Sequence, residues 1–452
     1  MSLLPLRPGL VRTARPDVDD NRSWWGLGQA PYVPSPALRE NVVADMVIIG
    51  GGFTGMSTAW HVARRFPDRR VALIEAREVG NGASGRNGGM MLNWMNGVSS
   101  SEPELTRLVY QTTKSGIDDI VHLIESEKLA VPYRRDGCLE LITNPQRAEA
   151  AAQEVRRLQE WGIGVEWLDA RAVRKYVRAE GVYGGIFDAS VGQVNGLVLL
   201  RELKRKMPEN VVIYENSPVL KVEEGASILV STAQGSVRAP VMVLGTNGYT
   251  PRLGYFRSRI CPMHSHVIAT EPLSPQAWEA LGWSQFAGFC DDLDRIAYGS
   301  MSPDGSLIFG GGGNYAYAYR YNNGTSYPEE AAQAGFEGIR RRLVQYLPGL
   351  EKLPLRRTWS GTLGVTLDRS CSMGVRGAYK NVYYALGYSG HGVTLANLAG
   401  KVLCDLYSDN HEAWKNQPFY QNSLYPMPGE PLRWIGYQLF TRLTGRSPRR
   451  RS

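Results

Sequence analysis

Three glycines and one glutamate define the chemistry that this sequence supports. Residues 45–55 read Asp-Met-Val-Ile-Ile-Gly-Gly-Gly-Phe-Thr-Gly, and Glu75 stands twenty residues after the last glycine. In a G-x-G-x-x-G pattern, Gly50 permits a tight turn, Gly52 lets backbone N–H groups approach a pyrophosphate, and Gly55 lets a helix pack closely on the preceding strand. Glu75 can accept hydrogen bonds from a ribose diol. The pattern predicts a bound dinucleotide.

The flanking residues supply the elements that must position these groups. Met46–Ile49 predicts a buried strand, Thr54–Phe66 a helix, and Arg70–Ile74 a second strand that ends just before the glutamate. A helix that begins at the glycine turn directs its positive end at the phosphates.

A similar unit stands near the other end of the chain. The strand Val382–Leu386 is followed by the glycine turn 387–392 and the helix Val393–Leu406. We expect this unit to bring a second helix N-terminus to the same ligand, which requires interleaved rather than consecutive domains.

Composition excludes several classes of function. At 452 residues the chain should form two domains. The net charge of +8 is partly local, because six arginines lie in the last twenty residues, so we expect no nucleic-acid partner. Five scattered cysteines indicate a reducing compartment and neither a disulfide framework nor a metal site. Without an apolar leader or a long apolar span, we expect a cytoplasmic protein.

Four segments carry a resemblance to a known family. They are Val-Ile-Ile-Gly-Gly-Gly-Phe-Thr-Gly (47–55), Gly-Ala-Ser-Gly-Arg-Asn-Gly-Gly (82–89), Val-Leu-Gly-Thr-Asn-Gly-Tyr-Thr-Pro (243–251) and Tyr-Ala-Leu-Gly-Tyr-Ser-Gly-His-Gly-Val (384–393). With them, the sequence resembles the superfamily of FAD-dependent D-amino-acid oxidase and glycine oxidase. The forms of the second and fourth segments are most similar to the γ-glutamylputrescine oxidoreductase branch.

The resemblance implies an α/β fold in which two domains interleave. One is a FAD-binding Rossmann-like domain of the glutathione-reductase type, and the other is an α+β substrate domain with an antiparallel sheet. The expected parts are an N-terminal arm (1–40), a discontinuous FAD-binding domain (41–98, 170–252 and 355–410), the substrate domain (99–169 and 253–354) and a basic amphipathic tail (411–452). Within these, Val131–Thr143 predicts a β-hairpin.

The resemblance also implies which residues bind FAD. Glu75 would hold the adenosine ribose and Val219 the adenine, while the loop from Ser84 to Gly88 would line the stretch from pyrophosphate to isoalloxazine. The turn that opens the last helix would face the N1–C2=O edge of the flavin. The expected cofactor-binding residues are Gly50, Gly52, Phe53, Thr54, Gly55, Glu75, Ala76, Ser84, Arg86, Asn87, Gly88, Gly89, Val219, Thr246, Asn247, Gly361, Gly390, His391, Gly392 and Val393.

Two departures from relatives define the expected cofactor and acceptor. Relatives that bind FAD covalently use a cysteine or a histidine, and neither stands at the comparable places in 359–368 and 80–89. We therefore expect non-covalent FAD. The strand 305–310 lacks the lysine that sarcosine enzymes place near the flavin. The electron acceptor is therefore either oxygen or a quinone or other carrier.

The implied reaction is oxidation of a C–N bond in a small amine or amino acid. Hydride passes from the α-carbon of a neutral amine to flavin N5, and water converts the imine to an aldehyde or keto acid. The expected substrate is an amine of the γ-glutamylpolyamine or secondary-amine type. One alternative is a ring or N-methyl amino acid such as proline, pipecolate or sarcosine. The other is a non-amine flavoprotein, or the flavin subunit of a complex.

The candidate catalytic residues are Tyr298, Trp359, His391 and Arg295. Arg295 would grip a substrate carboxylate, and His264 and His266 either tune protonation or are ordinary strand histidines. An aromatic wall beside the substrate is expected from a set of tyrosines and one tryptophan, namely Tyr249, Tyr298, Tyr315, Tyr317, Trp359 and Tyr388.

The end of the chain predicts an amphipathic helix. Its apolar residues are Trp434, Ile435, Tyr437, Leu439, Phe440 and Leu443, and arginines flank them. This pattern is typical of a helix at a membrane surface. It also fits a terminal helix that packs on the body of the protein or on the partner in a homodimer.

Overall fold

The computed structural model describes residues 10–19, 23–283, 286–293 and 295–443. Within these residues the strands, in chain order, are β1 (Val11–Thr13), β2 (Asn41–Val43), β3 (Met46–Ile49), β4 (Val71–Ile74), β5 (Met90–Met91), β6 (Tyr133–Arg134), β7 (Cys138–Ile142), β8 (Val165–Asp169), β9 (Gly184–Asp188), β10 (Gly192–Val194), β11 (Val211–Tyr214), β12 (Lys221–Glu223), β13 (Ile228–Ser231), β14 (Ser236–Ala239), β15 (Val241–Leu244), β16 (Cys261–Thr270), β17 (Gly288–Asp291), β18 (Ala297–Met301), β19 (Leu307–Gly311), β20 (Tyr317–Tyr319), β21 (Leu355–Val365), β22 (Ser372–Arg376) and β23 (Val382–Leu386).

The helices alternate with these strands. They are α1 (Phe53–Arg65), α2 (Pro103–Ser126), α3 (Pro145–Glu160), α4 (Ala170–Val173), α5 (Gly196–Arg205), α6 (Pro275–Ala280), α7 (Glu329–Tyr346), α8 (Gly392–Tyr407) and α9 (Leu432–Leu443). Short 3₁₀ turns occur at Trp24–Gly26, Ala83–Gly85, Asn247–Leu253, Asn314–Ala316, Tyr321–Asn323 and Pro348–Leu350.

A six-stranded sheet forms the centre of one half of the molecule. Its order is β11–β4–β3–β15–β23–β22, and all neighbours are parallel except β22 and β23. Every residue of β3 and β4 is buried, as expected for a parallel sheet covered on both faces. Met46 and Ile48 face the core with α1 and α8, whereas Val47 and Ile49 face a second core.

The second core lies beneath a five-stranded sheet of order β1–β12–β13–β14–β2. The N-terminal segment contributes its edge strand, because Val11–Thr13 pairs antiparallel with Lys221–Glu223. Residues 1–40 are therefore not only an arm. Part of this segment belongs to a sheet of the cofactor-binding half, and Trp24 and Trp25 are buried as well.

A nine-stranded sheet forms the other half of the molecule. Its order is β20–β16–β19–β18–β17–β7–β9–β8, and β21 also pairs with β16. The pairs are antiparallel except β7 with β17. A third core, which includes Phe289, Phe309 and Phe336, lies between this sheet and α7.

The structure moves two expected domain boundaries and removes a hairpin. β9, which we expected in the cofactor half with 170–252, pairs with β7 and β8 in the nine-stranded sheet. β21, expected in that half with 355–410, pairs along its length with β16. The hairpin predicted at 131–143 is wrong, because β6 pairs with β10 and β7 pairs with β9 and β17. All of these partners lie far away in sequence, so local patterns do not reveal them.

Candidate functional site

One cavity lies where the ends of the central strands meet the first turns of α1 and α8. Its empty volume, which includes space open to solvent, is about 1240 Å³. Fourteen of the residues expected to bind a cofactor line it. They are Gly50, Gly52, Phe53, Thr54, Glu75, Ala76, Ser84, Asn87, Val219, Thr246, Asn247, Gly390, Gly392 and Val393.

The glycine turn between β3 and α1 has little room for side chains. Gly50 has a φ of +107°, a region that L side chains rarely adopt. A Cβ on Gly55 would lie 1.9 Å from the carbonyl oxygen of Gly50, so Gly55 packs under the turn instead of lining the cavity. A Cβ on Gly52 would lie 2.9 Å from Ser84 Oγ. The turn therefore brings bare backbone to the cavity wall.

The first turn of α1 is held by the 3₁₀ turn at Ala83–Gly85. Ser84 Oγ accepts a hydrogen bond from the N–H of Phe53 at 2.9 Å. Asn87 shapes the same loop, because its side chain donates to the carbonyl of Ser84 at 2.8 Å and accepts from the N–H of Gly89 at 2.8 Å. An N-terminal helical turn that faces a cavity in this way favours an anionic group such as a pyrophosphate.

Glu75 lies at the end of β4 and points along the glycine turn. Its carboxylate accepts hydrogen bonds from the N–H of Gly51 at 2.6 Å and of Arg77 at 2.9 Å. Burial raises the pKa of this carboxyl group, and the two backbone hydrogen bonds oppose that shift. A half-buried carboxylate with acceptor capacity to spare is suited to a ribose diol.

Val219 lies next to this carboxylate, because the N–H of Ser217 donates to the carbonyl of Glu75 at 2.9 Å. Val219 is buried. Among the residues that the structure describes, none is hydrogen-bonded to its backbone N–H or C=O. Buried backbone groups are nearly always paired, so a ligand with a donor and an acceptor edge, such as adenine, fits here.

The first turn of α8 reaches the opposite part of the cavity. The hydroxyl groups of Tyr388 and Thr54 lie 2.7 Å apart and join the two helix N-termini. The helices approach closely further along, since a Cβ on Gly400 would lie 2.1 Å from Ser57 Oγ. Gly390 has a φ of +105° in the turn before α8. Both positive helix ends therefore face one ligand volume.

Arg86 does not line the cavity, contrary to our expectation. Its side chain is 4% exposed, and Nη1 lies 2.5 Å from Asp19 Oδ1. Nε donates to the carbonyl of Asn81 at 2.6 Å, and Nη1 donates to that of Ser360 at 3.2 Å. Arg86 therefore ties the N-terminal segment to the 80–89 loop and to β21.

The other predicted residues outside the lining pack against it. A Cβ on Gly88 would lie 2.7 Å from the Tyr298 ring, one on Gly89 would lie 2.9 Å from Trp25, and one on Gly361 would lie 3.1 Å from Arg86 Cβ. His391 precedes α8, and its Nδ1 lies 2.7 Å from the side-chain nitrogen of Asn96.

The candidate catalytic residues are not brought together. Trp359 is fully buried, and its indole N–H donates to the carbonyl of Arg86 at 2.8 Å, so it supports the loop from behind. Arg295 is hydrogen-bonded to Asn314, and its guanidinium lies 5.4 Å from the ring of Phe440 on α9. Tyr298 packs on Gly88, next to the lining residue Asn87, and His391 stands between the lining residues Gly390 and Gly392.

Some of the other aromatic and histidine candidates line the cavity and some do not. Tyr249 and Tyr388 line the cavity. Tyr315 donates to the carbonyl of Gly312, and Tyr317 lies near Arg295, 6.0 Å from its guanidinium. The two histidines of β16 are buried outside the lining, and burial lowers the pKa of His264 to about 4 and of His266 to about 3. Both are therefore neutral at neutral pH.

One part of the cavity wall was not predicted. Pro16, Asp17 and Val18 line the cavity, as do Arg252 and Leu253 from the 3₁₀ turn that follows β15. Burial raises the pKa of Asp17, but hydrogen bonds from Ser326 and Thr325 and the charge of Arg252 lower it overall. An ionised Asp17 thus anchors the segment that covers the cavity. Its only sequence signal was a proline- and arginine-rich composition.

The described residues contain neither a metal-binding cluster nor a membrane-spanning helix. No group of three or more histidine, cysteine, aspartate or glutamate side chains in this part of the chain could hold a metal ion. Nor does any helix within it have the length and apolar character needed to cross a bilayer.

Known proteins match both the sequence and the fold. The family model described as FAD dependent oxidoreductase (DAO) matches residues 45–406. The chain is 28% identical over 422 residues to the γ-glutamylputrescine oxidoreductase of Escherichia coli K12, covering 90% of this chain and 93% of that protein. It is 25% identical over 370 residues to the sarcosine oxidase subunit beta of Rhizobium meliloti 1021, covering 77% and 79%. The crystal structure of glycine oxidase from Geobacillus kaustophilus has a TM-score of 0.70 at 20% identity and covers 84% of this chain and 99% of that one.

Proposed function

This chain belongs to the DAO family of FAD-dependent oxidoreductases, and we propose that it oxidises a C–N bond in a small amine or amino acid. The predicted family, the α/β fold and FAD as the cofactor are confirmed. The observation that carries the proposal is one cavity that brings together two helix N-termini, the Glu75 carboxylate and a backbone edge at Val219 that no described residue pairs.

We place FAD along this cavity. The first turn of α1, at Gly52 to Thr54, would hold the pyrophosphate, and Glu75 would hold the adenosine ribose. The Val219 backbone would meet the adenine. The turn at Gly390 and the first turn of α8 would stabilise the negative charge that the flavin gains on reduction.

We also propose that FAD is bound without a covalent link. The described residues that line the cavity include neither a cysteine nor a histidine. The nearby Cys371 is buried, and burial raises the pKa of its thiol to about 12. A thiol in that state is a poor nucleophile at neutral pH.

When bound, FAD supplies a hydride acceptor for the carbon that carries the substrate nitrogen. The chain must bind that substrate, exclude water and present it neutral. We place the substrate beside Tyr298, whose ring packs directly on Gly88 of the 84–89 loop. Burial raises the pKa of the Tyr298 hydroxyl, which keeps it protonated and able to donate a hydrogen bond.

The substrate class that we favour is an amine of the γ-glutamylpolyamine or secondary-amine type. The relative that matches 90% of the chain is named for such a substrate. Arg295 does not decide between the two classes. Its hydrogen bond to Asn314 and its contact with Phe440 commit it to the surface under α9, and a γ-glutamyl group carries a carboxylate just as an amino acid does.

The test is anaerobic reduction of the purified flavoprotein by separate amines and amino acids, followed by air. Loss of visible flavin absorption with secondary amines and not with amino acids would support the favoured class. Bleaching only by sarcosine-like or ring amino acids would replace it with the alternative. If no amine bleaches the flavin, the chain is a non-amine flavoprotein or a subunit of a complex.

The same experiment identifies the electron acceptor. Rapid recovery of the absorption in air would identify an oxidase. Slow recovery in air and fast recovery with a soluble quinone would identify a dehydrogenase. Tyr298→Leu should slow the bleaching without releasing FAD, whereas the exposed Tyr183→Leu should change neither.

A further inference from the structure

The last described helix presents its apolar residues to solvent instead of to the protein. Leu439 is 51% exposed and Leu443 is 81% exposed, and Leu432 and Ile435 are exposed as well. The spacing 432, 435, 439 and 443 places these four side chains on one stripe of α9.

The opposite side of α9 is fixed to the body of the protein by polar groups. Arg433 is buried and donates to Asn323 Oδ1 at 2.8 Å and to the carbonyl of Arg257 at 2.9 Å. One turn later, the Tyr437 hydroxyl donates to the carbonyl of Tyr317 at 2.9 Å. The helix is therefore held in one orientation, and its apolar stripe is the face left uncovered among the described residues.

Arginines accompany the stripe. Residues 431–452 contain six arginines and no acidic residue, and four of those arginines follow the described part of the helix in the sequence. On the side of α9 that faces the body, Arg433 connects the helix to a pocket of about 750 Å³. That pocket is lined by four arginines, namely Arg12, Arg15, Arg252 and Arg257. Arg12 is paired with Glu224 and the charge of Arg252 acts on Asp17, so Arg15 and Arg257 give the pocket its net positive charge.

We propose that α9 and its flanking arginines bind the surface of an anionic membrane. The stripe would insert into the interface between headgroups and acyl chains, and the arginines would contact lipid phosphates. This arrangement of an apolar face bordered by basic residues is that of an interfacial helix. A second copy of the chain is the competing occupant. It is less suited to this face, because two such surfaces would bring their arginines together.

Sedimentation of the full-length holoenzyme with lipid vesicles tests the proposal. We expect binding to phosphatidylcholine vesicles that contain phosphatidylglycerol and little binding to phosphatidylcholine alone. High salt should weaken it, by roughly fivefold for each arginine contact that is screened. Leu439→Gln and Leu443→Gln should each lower the partition coefficient about tenfold or more. Both positions are exposed, so neither change should affect folding.

Leu367→Gln is the matched control, because this leucine is 61% exposed and lies in the turn between β21 and β22. It should bind vesicles like the wild type. Absence of binding to anionic vesicles, or equal binding by all three variants, would overturn the proposal. So would a dimer in solution that Leu439→Gln dissociates, without any vesicle binding, because the face would then belong to a second copy.

Discussion

Replacement of Arg86 by methionine should loosen the N-terminal segment over the cofactor cavity. The guanidinium donates to Asp19 Oδ1 at 2.5 Å and to the Asp19 carbonyl at 3.1 Å, and its Nε donates to the Asn81 carbonyl at 2.6 Å. Methionine keeps most of the apolar stem that packs against Gly361 and removes every one of these donors. Residues 16–18 line the cavity directly before Asp19, so the loss is transmitted to the cofactor.

The size of the effect follows from the burial of the two partners. Removal of one member of a buried ion pair costs about 3–5 kcal/mol. Arg86 is 4% exposed, but the Asp19 side chain is 22% exposed, so water can reach the carboxylate and we expect the lower end, about 3 kcal/mol. If the N-terminal segment opens, Asp19 moves into water and its unpaired carboxylate no longer carries that cost. FAD should then dissociate up to about 100-fold faster.

Two measurements test whether Arg86 holds the N-terminal segment over the cavity. The rate of flavin release can be followed by fluorescence after dilution, and hydrogen–deuterium exchange of residues 10–19 reports the opening of the segment. Asp19→Asn should have a smaller effect, because its amide oxygen still accepts from Arg86. Arg64→Met is the control, since Arg64 forms an exposed ion pair with Glu127. If Arg86→Met retained FAD and its exchange pattern like the wild type, the segment would not be the cover that we describe.

Three further predictions concern the turn, the ribose acceptor and the buried histidines. Gly55→Ala should prevent folding, because its Cβ would lie 1.9 Å from the Gly50 carbonyl oxygen, whereas Gly349→Ala meets nothing within 4 Å; thermal denaturation compares the two. Glu75→Gln should weaken FAD binding at least about tenfold through loss of a charge-assisted hydrogen bond, and Glu78→Gln should not; flavin titration of the apoproteins measures both. The pKa of His264 is lowered to about 4 in the folded state. Between pH 4 and pH 6.5 the unfolded chain therefore binds more protons than the folded chain. Stability should fall by about 3 kcal/mol as pH drops through that window, and urea denaturation of His264→Gln should lack this part of the decrease.

The strand–turn–helix units could be predicted because their signals are local. Met46–Ile49 and Val382–Leu386 have the predicted bounds in the structure, and α1 and α8 differ from prediction by one residue at each end. A continuous apolar run before a glycine turn specifies a parallel strand almost by itself. The stretches of cavity wall formed by these turns, at Gly50–Thr54 and Gly390–Val393, were therefore accessible from sequence.

The remaining parts of the site depend on contacts between segments that are far apart in the sequence. Local sequence patterns do not specify such contacts. Nothing in residues 16–19 indicates that their partners are Arg86 and Thr325. Arg86 itself fits two roles, a cofactor ligand or a buried clamp, and only the position of Asp19 distinguishes them. Trp359 is a similar case. As a tryptophan it was expected in the substrate wall, but β21 pairs with β16 and its side chain packs in a hydrophobic core.

The terminal helix shows the same limit in its simplest form. A period of 3.6 residues reveals that α9 has an apolar and a polar side, but it does not reveal which side faces the protein. In a globular protein the usual answer is the apolar side. Here the hydrogen bonds of Arg433 and Tyr437 turn the polar side of α9 towards the protein, so the leucines are exposed to solvent. An exposed apolar stripe is unfavourable in water, and the anionic bilayer that we propose as its partner would match both the stripe and the arginines of the same segment.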